Sequence, residues 1–192
     1  MRIIDKLERR FGRFAVPNVA LMLVIGQVVV YGMILTGRMD LQFLALIPAL
    51  VIEEGQWWRV FSFVLSPPFV PRGLGFGLIF LGFFWYLFWM MSSALEQVWG
   101  AFRFNIYLLL GVLLTLGAAF LGHFLTPGAL IVVSPGTLYL SVFLAFAMIN
   151  PDFEFLLFFI LPVKVKWLAW IAVAALVLSF LTAAGWGDRL AI

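Results

Sequence analysis

Hydrophobic residues fall into long, nearly uninterrupted runs that short charged segments separate. The clearest runs extend from Pro17 to Thr36, from Leu74 to Leu95 and from Phe104 to Phe124, with few polar side chains inside them. Each approaches the roughly 20 residues that an α-helix needs to cross the hydrocarbon core of a bilayer. This pattern predicts transmembrane helices and not the amphipathic elements of a soluble domain.

Two shorter apolar runs follow in the C-terminal half of the chain. The fourth extends from Ser134 to about Met148, and the fifth begins after the segment Pro162–Trp167 and ends near Ala184. The fourth run is short for a span, so part of the apolar stretch before it is expected at membrane depth as well. The sequence therefore predicts an all-α polytopic membrane protein with about five transmembrane helices.

The composition supports a single membrane domain. Hydrophobic residues make up 65% of the chain and charged residues 11%, whereas soluble domains are roughly 45–50% apolar. We predict a basic N-terminal segment at residues 1–16, a transmembrane domain at residues 17–186 and a short C-terminal tail at residues 187–192.

The segment from Leu41 to Pro68 interrupts the apolar pattern. It contains an apolar stretch, the polar run Glu53–Arg59 and two consecutive prolines. Tryptophan and arginine favour the headgroup level of a bilayer, and Trp57, Trp58 and Arg59 occur together in this segment. We expect an interfacial element in the first external loop, and the pattern leaves a partly spanning, distorted helix open as the alternative.

Basic residues in the short flanks predict the orientation of the five spans. One side holds eight of them, namely Arg2, Lys6, Arg9, Arg10, Arg13, Arg103, Lys164 and Lys166. The other side holds four, namely Arg38, Arg59, Arg72 and Arg189. Because the side richer in Lys and Arg faces the cytoplasm, the N-terminus is predicted to be cytoplasmic and the C-terminus external.

The side-chain inventory excludes several kinds of chemistry. The chain has no cysteine and a single histidine, His123, so no disulfide framework, thiolate nucleophile or tight transition-metal site is predicted. No phosphate-binding glycine loop occurs, and we predict no cofactor. The net charge of +3 arises mostly in the N-terminal basic cluster, which suits an anionic membrane surface better than nucleic acid.

Glu96 is predicted to pair with Arg103. Glu96 ends the second apolar run, where the negative pole of a helix disfavours a carboxylate. A cation, or amide donors at the start of the next helix, should therefore stabilise it. Arg103 lies seven residues further on, across a short turn, and we expect the pair to stabilise the fold without a chemical role.

Three motifs resemble those of the rhomboid superfamily of intramembrane proteases. In chain order they are the pair Trp58-Arg59, then Glu96 with Gly100 at +4 and Arg103 at +7, and then the segment Pro162–Trp167. They occur in the order found in that family and extend over most of the chain. The resemblance implies a rhomboid-like helical bundle with a lateral opening through which a client helix approaches.

The chain departs from active rhomboids at the positions that carry their chemistry. Active members use a serine at the start of the fourth span, a histidine in a sixth span, and a histidine and an asparagine in the second span that stabilise the oxyanion. By the family spacing, the oxyanion positions correspond to Phe80 and Phe84, whose side chains donate no hydrogen bond. The serine position corresponds to Gly136 or Thr137, and five predicted spans provide no sixth-span histidine.

An enzymatic alternative is a rebuilt dyad of Ser134 and His123, which are predicted on the same external side. Ser134 with the following Pro135 and Gly136 is more simply a helix cap and turn. A histidine at the end of a span is usually an interfacial residue.

The resemblance implies a proteolytically inactive protein that binds transmembrane segments of other membrane proteins, as a pseudoprotease or a Derlin-like protein does. The alternative from a different class is a permanent structural subunit or assembly factor of a larger membrane complex. Compact loops favour the bacterial plasma membrane as its location.

Overall fold

The computed structural model describes most of the chain, namely residues 2–71, 75–126, 130–157 and 161–182. The protein is 75% helical with almost no strand, as expected for a helical membrane protein. Arg72, Arg189, the end of the predicted fifth span and the predicted tail 187–192 lie outside the described residues.

The described elements are, in chain order, α1 (Arg2–Phe11), α2 (Val19–Leu35), α3 (Pro48–Glu53), α4 (Arg59–Ser62), α5 (Phe76–Trp99), α6 (Ala101–Leu125), α7 (Gly136–Ile149), β1 (Glu154–Leu157), β2 (Leu161–Lys164) and α8 (Val165–Thr182). Short 3-10 helices occur at Gly12–Phe14, Leu41–Phe43 and Phe63–Leu65.

Three of these helices, α5, α6 and α8, have the length and hydropathy of a membrane span. α2 has 17 residues and qualifies only together with α1, as a pair bent by 53° between Ile4–Phe14 and Val19–Leu35. The structure therefore supports three to four spanning helices. α7 is apolar but has only 14 residues, so its role as a further span stays a prediction.

The segment from Leu41 to Pro68 forms short helices. α3 has six residues and α4 has four. Pro48 opens α3, and Gly55, with a φ of +68°, turns the chain after it. Neither helix approaches the length of a span. This geometry favours the predicted interfacial element over the distorted span.

Buried clusters hold the bundle together near both ends of α6. The first contains Phe104 at the start of α6, with Leu95 of α5, Phe146 of α7 and Val165 of α8. The second contains Ala119 near the end of α6, together with side chains of the Leu41–Pro68 segment and of residues 131–133. We call the end with α1, the α5–α6 turn and the β1–β2 hairpin the charged end, and the opposite end the loop end.

Two glycines allow helices to approach closely. A Cβ atom at Gly111 of α6 would lie 2.7 Å from Leu138 Cδ2 of α7, and one at Gly26 of α2 would lie 2.7 Å from Leu65 Cδ2. A larger residue at either position would therefore require the leucine side chain to move. The small residues leave room for these leucines, as is common where helices pack in lipid.

The β1–β2 hairpin is the part of the fold that an all-α prediction does not include. Its strands pair antiparallel with Glu154 opposite Lys164 and Phe155 opposite Val163. The N–H of Val165 then donates to the carbonyl of Phe153 at 2.8 Å. A short apolar run does not distinguish a strand from a helix by periodicity, which is why the sequence pattern alone left the hairpin undetected.

Candidate functional site

An apolar groove of about 510 Å³ lies between α5 and α7. Its lining is mostly aromatic and aliphatic: Pro68, Phe69, Phe84, Leu87, Phe88, Met91, Ser134, Gly136, Tyr139, Leu140 and Phe143. An adjoining depression of about 430 Å³ shares Phe69, Phe84 and Leu87 with it and continues along α5 to Gly77, Phe80 and Phe83. We call the two together the α5–α7 groove.

Tyr139 of α7 organises the aromatic wall of this groove. Its ring centroid lies 5.0 Å from that of Phe84 and 5.1 Å from that of Phe88, with interplanar angles of 81° and 79°. Phe69 contacts Phe84 edge to face at 6.5 Å. Edge-to-face contacts orient aromatic rings specifically, so the wall of the groove is preformed.

Gln27 of α2 holds Tyr139 in place. Its amide is 1% exposed; Nε2 donates to the Tyr139 hydroxyl at 2.6 Å and to the Val64 carbonyl at 2.9 Å. Trp85 Nε1 donates to Gln27 Oε1 at 3.0 Å, and the Tyr139 hydroxyl donates to the Ser66 carbonyl at 3.2 Å. This network joins α2, α5, α7 and the loop end, and it commits the tyrosine hydroxyl away from the groove.

The sequence contains one signal for this network. Gln27 is the only strongly polar side chain in the interior of the first apolar run. An amide in a membrane helix needs hydrogen-bond partners inside the protein. Its position is thus a signal for a polar contact inside the bundle, although the identity of the partners does not follow from it.

Of the four positions that the rhomboid resemblance singled out, three line the α5–α7 groove. Phe84 and Gly136 line its larger part, and Phe80 lines the adjoining depression. Thr137 instead faces α6, with its hydroxyl oxygen 3.2 Å from that of Thr115. Neither the two phenyl rings nor Gly136 has a side-chain donor for a developing oxyanion.

Ser134 and His123 do not form the dyad of the enzymatic alternative. Ser134 lines the groove, whereas the ring of His123, near the end of α6, contacts that of Phe124 at 5.7 Å. No hydrogen bond joins the two residues within the described part of the chain. The predicted cap at Ser134 is wrong as well, because Pro135 directly precedes α7 and no side chain caps the helix.

The predicted ion pair between Glu96 and Arg103 is not formed. Arg103 instead contacts α1, with Nη2 3.1 Å from Asp5 Oδ1 and Nε 3.0 Å from Glu8 Oε2. Glu96 accepts a hydrogen bond from the backbone N–H of Asn18 at 2.9 Å. The physical reason is the position of α1, which brings two carboxylates of one helix face against the start of α6. An amide donor does stabilise Glu96, as expected, but it comes from the residue before α2.

Arg59 has a different role from the one predicted for the interfacial loop. Its side chain is buried, at 6% exposure. Nη1 donates to the carbonyls of Gln42 and Ala45 at 2.6 and 2.8 Å, and Nε donates to Gln56 Oε1 at 2.6 Å. A guanidinium has several donors in a fixed geometry, and here they join distant parts of the loop. Arg59 is therefore unavailable for contact with a partner.

The two tryptophans of the loop are accessible. Trp57 is 65% and Trp58 43% exposed, as are the neighbouring Phe61 at 77% and Phe43 at 48%. Trp58 stacks on Phe43 with ring centroids 5.3 Å apart. An exposed aromatic surface of this kind is typical of contact with the bilayer interface, so substitutions of Trp57, and not of Arg59, are the ones that test such contact.

A small polar pocket of about 250 Å³ lies at the charged end and is lined by Asn18, Ser93, Glu96, Gln97 and Ala101. Glu96 is its one carboxylate, and one of its oxygens already accepts the Asn18 N–H. Among the described residues, no group of three or more acidic or histidine side chains is arranged to hold a metal ion.

No family model, no curated protein and no solved structure matches this chain. The resemblance to rhomboids therefore rests on the three sequence motifs, and what it implies for function is a proposal.

Proposed function

We propose that the protein binds transmembrane segments of other membrane proteins and does not cleave them. The observation that carries this proposal is the α5–α7 groove, an apolar concave surface with a preformed aromatic wall between two apolar helices. Helices associate in lipid through close packing and a few polar contacts, each worth about 1 kcal/mol. A rigid concave surface favours such packing because little side-chain entropy is lost on binding.

The absence of cleavage in this proposal follows from the residues around the groove. Phe80, Phe84 and Gly136 offer no side-chain donors for an oxyanion, and Ser134 lacks a hydrogen bond to His123 within the described residues. A serine nucleophile needs an adjacent general base. The rhomboid resemblance supports the same function, because it implies a lateral opening for a client helix and lost catalytic positions.

A second candidate function, a structural subunit of a larger complex, is favoured by α8. Only 6% of the residues of α8 are buried, compared with 33% of the most apolar 18 residues of α5 and 17% of those of α6. Trp170 is 70% exposed. A partner helix on this face would bury an aromatic surface that the described residues leave uncovered.

Crosslinking in proteoliposomes tests groove binding with a defined probe. Because the chain has no cysteine, single cysteines are specific, and Phe80 and Leu113 are matched sites that are 54% and 53% exposed. Phe80→Cys should crosslink to a single-span model helix several-fold more than Leu113→Cys, and an excess of unlabelled helix should reduce the yield. Equal yields at the two sites would contradict groove binding.

The same reconstitution tests the absence of proteolysis. The model helix should remain intact, both with the unmodified protein and with Ser134→Ala or His123→Ala variants. Cleavage that either substitution abolishes would overturn the proposal. Crosslinks from Trp170→Cys in native membranes to one stoichiometric partner, without groove crosslinks, would instead favour the structural subunit.

The charged end faces the cytoplasm of a bacterial plasma membrane in this proposal. The described basic residues of the richer set, Lys6, Arg9, Arg10, Arg13, Arg103, Lys164 and Lys166, lie on elements of that end. Lys and Arg concentrate in cytoplasmic flanks. Cysteines introduced at positions 6 and 37 should be labelled from opposite sides of the membrane, and labelling of both from one side would refute the crossing of α2.

A further inference from the structure

The N-terminal helix α1 and the 3-10 turn after it present three chemically distinct faces. At about 100° per residue, the side chains separate into three sets. The apolar face contains Ile4, Leu7, Phe11 and Phe14, the basic face contains Lys6, Arg9, Arg10 and Arg13, and the acidic face contains Asp5 and Glu8.

The acidic face is turned toward the bundle. Asp5 and Glu8 both contact Arg103 of α6, at 3.1 and 3.0 Å. The side chains of Asp5 and Glu8 are 46% and 35% exposed. Phe11 and Phe14 of the apolar face are also accessible, at 42% and 64% exposure. Arg103 therefore offsets one of the two negative charges of the acidic face and holds that face toward α6, which directs the other two faces away from α6.

The basic face retains its charge. Lys6, Arg9, Arg10 and Arg13 are exposed and form no ion pair with any described residue. The guanidinium carbons of Arg10 and Arg13 lie over the rings of Phe11 and Phe14, at 5.4 and 4.7 Å from the ring centroids. The cations are thus held at the border of the apolar face.

The direction of α1 suits a helix that lies on a bilayer. It is bent by 53° from α2, which is apolar enough to enter the hydrocarbon. A helix at this boundary places its apolar face among the acyl chains and its basic face at the level of the phosphates. Because cations adjoin an apolar face, the matching occupant is an anionic membrane surface; a soluble acidic protein would leave the apolar face exposed.

We propose that α1 is a docking surface for anionic phospholipid headgroups, held at a fixed rotation by Arg103. The phosphates would accept hydrogen bonds from Arg9, Arg10 and Arg13, since guanidinium matches the geometry of phosphate oxygens. This surface lies outside the α5–α7 groove, and the inference does not depend on what that groove binds.

Hydrogen exchange in nanodiscs tests the headgroup preference. Backbone amides of residues 4–14 should exchange several-fold more slowly with phosphatidylglycerol present than in phosphatidylcholine alone, and salt should weaken the difference. The double variant Arg9→Gln, Arg10→Gln should lose this slower exchange with phosphatidylglycerol. The double variant Lys164→Gln, Lys166→Gln removes the same charge from the same end of the bundle and should keep the slower exchange.

Each contrary result is informative. Equal protection in both lipids would overturn the proposal, because it would show no preference for anionic headgroups. Equal loss in the two double variants would overturn it in favour of nonspecific charge. Protection by inorganic phosphate in phosphatidylcholine nanodiscs would show a small-anion site instead of a lipid surface. Unchanged exchange in α5 and α6 verifies that the variants are folded, which is expected because Arg9 and Arg10 contact no other helix through ion pairs.

The fixed rotation has its own measurement. Bilayer-depth quenchers on lipid chains should quench a fluorophore on Phe11→Cys more than one on Gly12→Cys, because Gly12 lies on the acidic side of the turn. Arg103→Gln should reduce that contrast. Equal quenching at both positions in the unmodified background would overturn the docked orientation.

Discussion

The two ends of the bundle use arginine in opposite ways. At the charged end, Arg103 is 47% exposed and faces the carboxylates of Asp5 and Glu8. At the loop end, Arg59 is 6% exposed and donates to two backbone carbonyls and an amide oxygen, all of them neutral. The residue type is the same and the number of contacts is similar, but Arg103 lies at the surface and Arg59 is buried.

We expect burial, more than the charge of the partner, to decide how much each arginine contributes to stability. Exposed ion pairs contribute about 0–1 kcal/mol because water and salt screen them. The hydrogen bonds of Arg59 are partly buried, so water replaces them less readily, and each acceptor left without its donor costs about 1–3 kcal/mol. The loop end is therefore expected to be the rigid end, and the charged end the adaptable one.

The largest effect should come from Arg59→Ala. It leaves the carbonyls of Gln42 and Ala45 without their donor, and we expect the free energy of unfolding to fall by about 3–5 kcal/mol. Unfolding in mixed micelles, followed by circular dichroism, measures it. Arg38→Ala is the control, since Arg38 is exposed at the same end. Similar losses in both variants would contradict the distinction between the ends.

The next largest effect should come from the network behind the groove. Gln27→Leu leaves the Trp85 N–H unpaired and removes the donor to the Val64 carbonyl and the Tyr139 hydroxyl, at an expected cost of about 2–3 kcal/mol. Tyr139→Phe removes two hydrogen bonds, the one from Gln27 and the one to the Ser66 carbonyl, but leaves Gln27 bonded to Val64 and Trp85, and it should cost about 1–2 kcal/mol. The double variant should lose less than the sum of the two, and full additivity in the same unfolding assay would show that the network does not act as a unit.

The parts of the fold that the sequence predicted are those set by local properties. The run from Leu74 to Leu95 corresponds to α5, and the run from Phe104 to Phe124 corresponds to α6. Bilayer thickness fixes the length of an apolar helix, so counting residues along the chain is sufficient. The β1–β2 hairpin depends instead on pairing between strands, which a short apolar run does not indicate.

The choice of partners could not be predicted, because it depends on residues far apart in the chain. Arg103 was assigned to Glu96, seven positions away, yet its partners Asp5 and Glu8 are separated from it by 98 and 95 positions. Both assignments satisfy the same electrostatic requirement. Only the placement of α1 against α6 distinguishes them, and that placement follows from packing of the whole bundle.

A smaller effect is expected for Arg103, and its partners can be identified by double-mutant cycles. Arg103→Gln with Glu8→Gln should show a coupling energy of about 0.5 kcal/mol that salt reduces. Arg103→Gln with Glu96→Gln should show none, because Glu96 is bonded to Asn18. A coupling energy to Glu96 that equals the coupling energy to Glu8 would contradict the pairing of Arg103 with α1.

The smallest effect should appear at Asp152, which is fully exposed. Hydrogen bonds from Lys166 and then Lys164, at 3.0 and 3.2 Å, hold the pKa of its carboxyl below the ordinary value of 3.8. A carboxyl with a lowered pKa in the folded state stabilises the fold above its ordinary pKa, and the stabilisation is lost as pH falls through the lowered one. At neutral pH, Asp152→Asn should therefore have a slightly lower free energy of unfolding than the unmodified protein. In acid, below the lowered pKa of Asp152, the difference should vanish. Lys164→Gln with Lys166→Gln should remove the same pH dependence, and a difference that persists unchanged into acid would show that these lysines do not set the titration of Asp152.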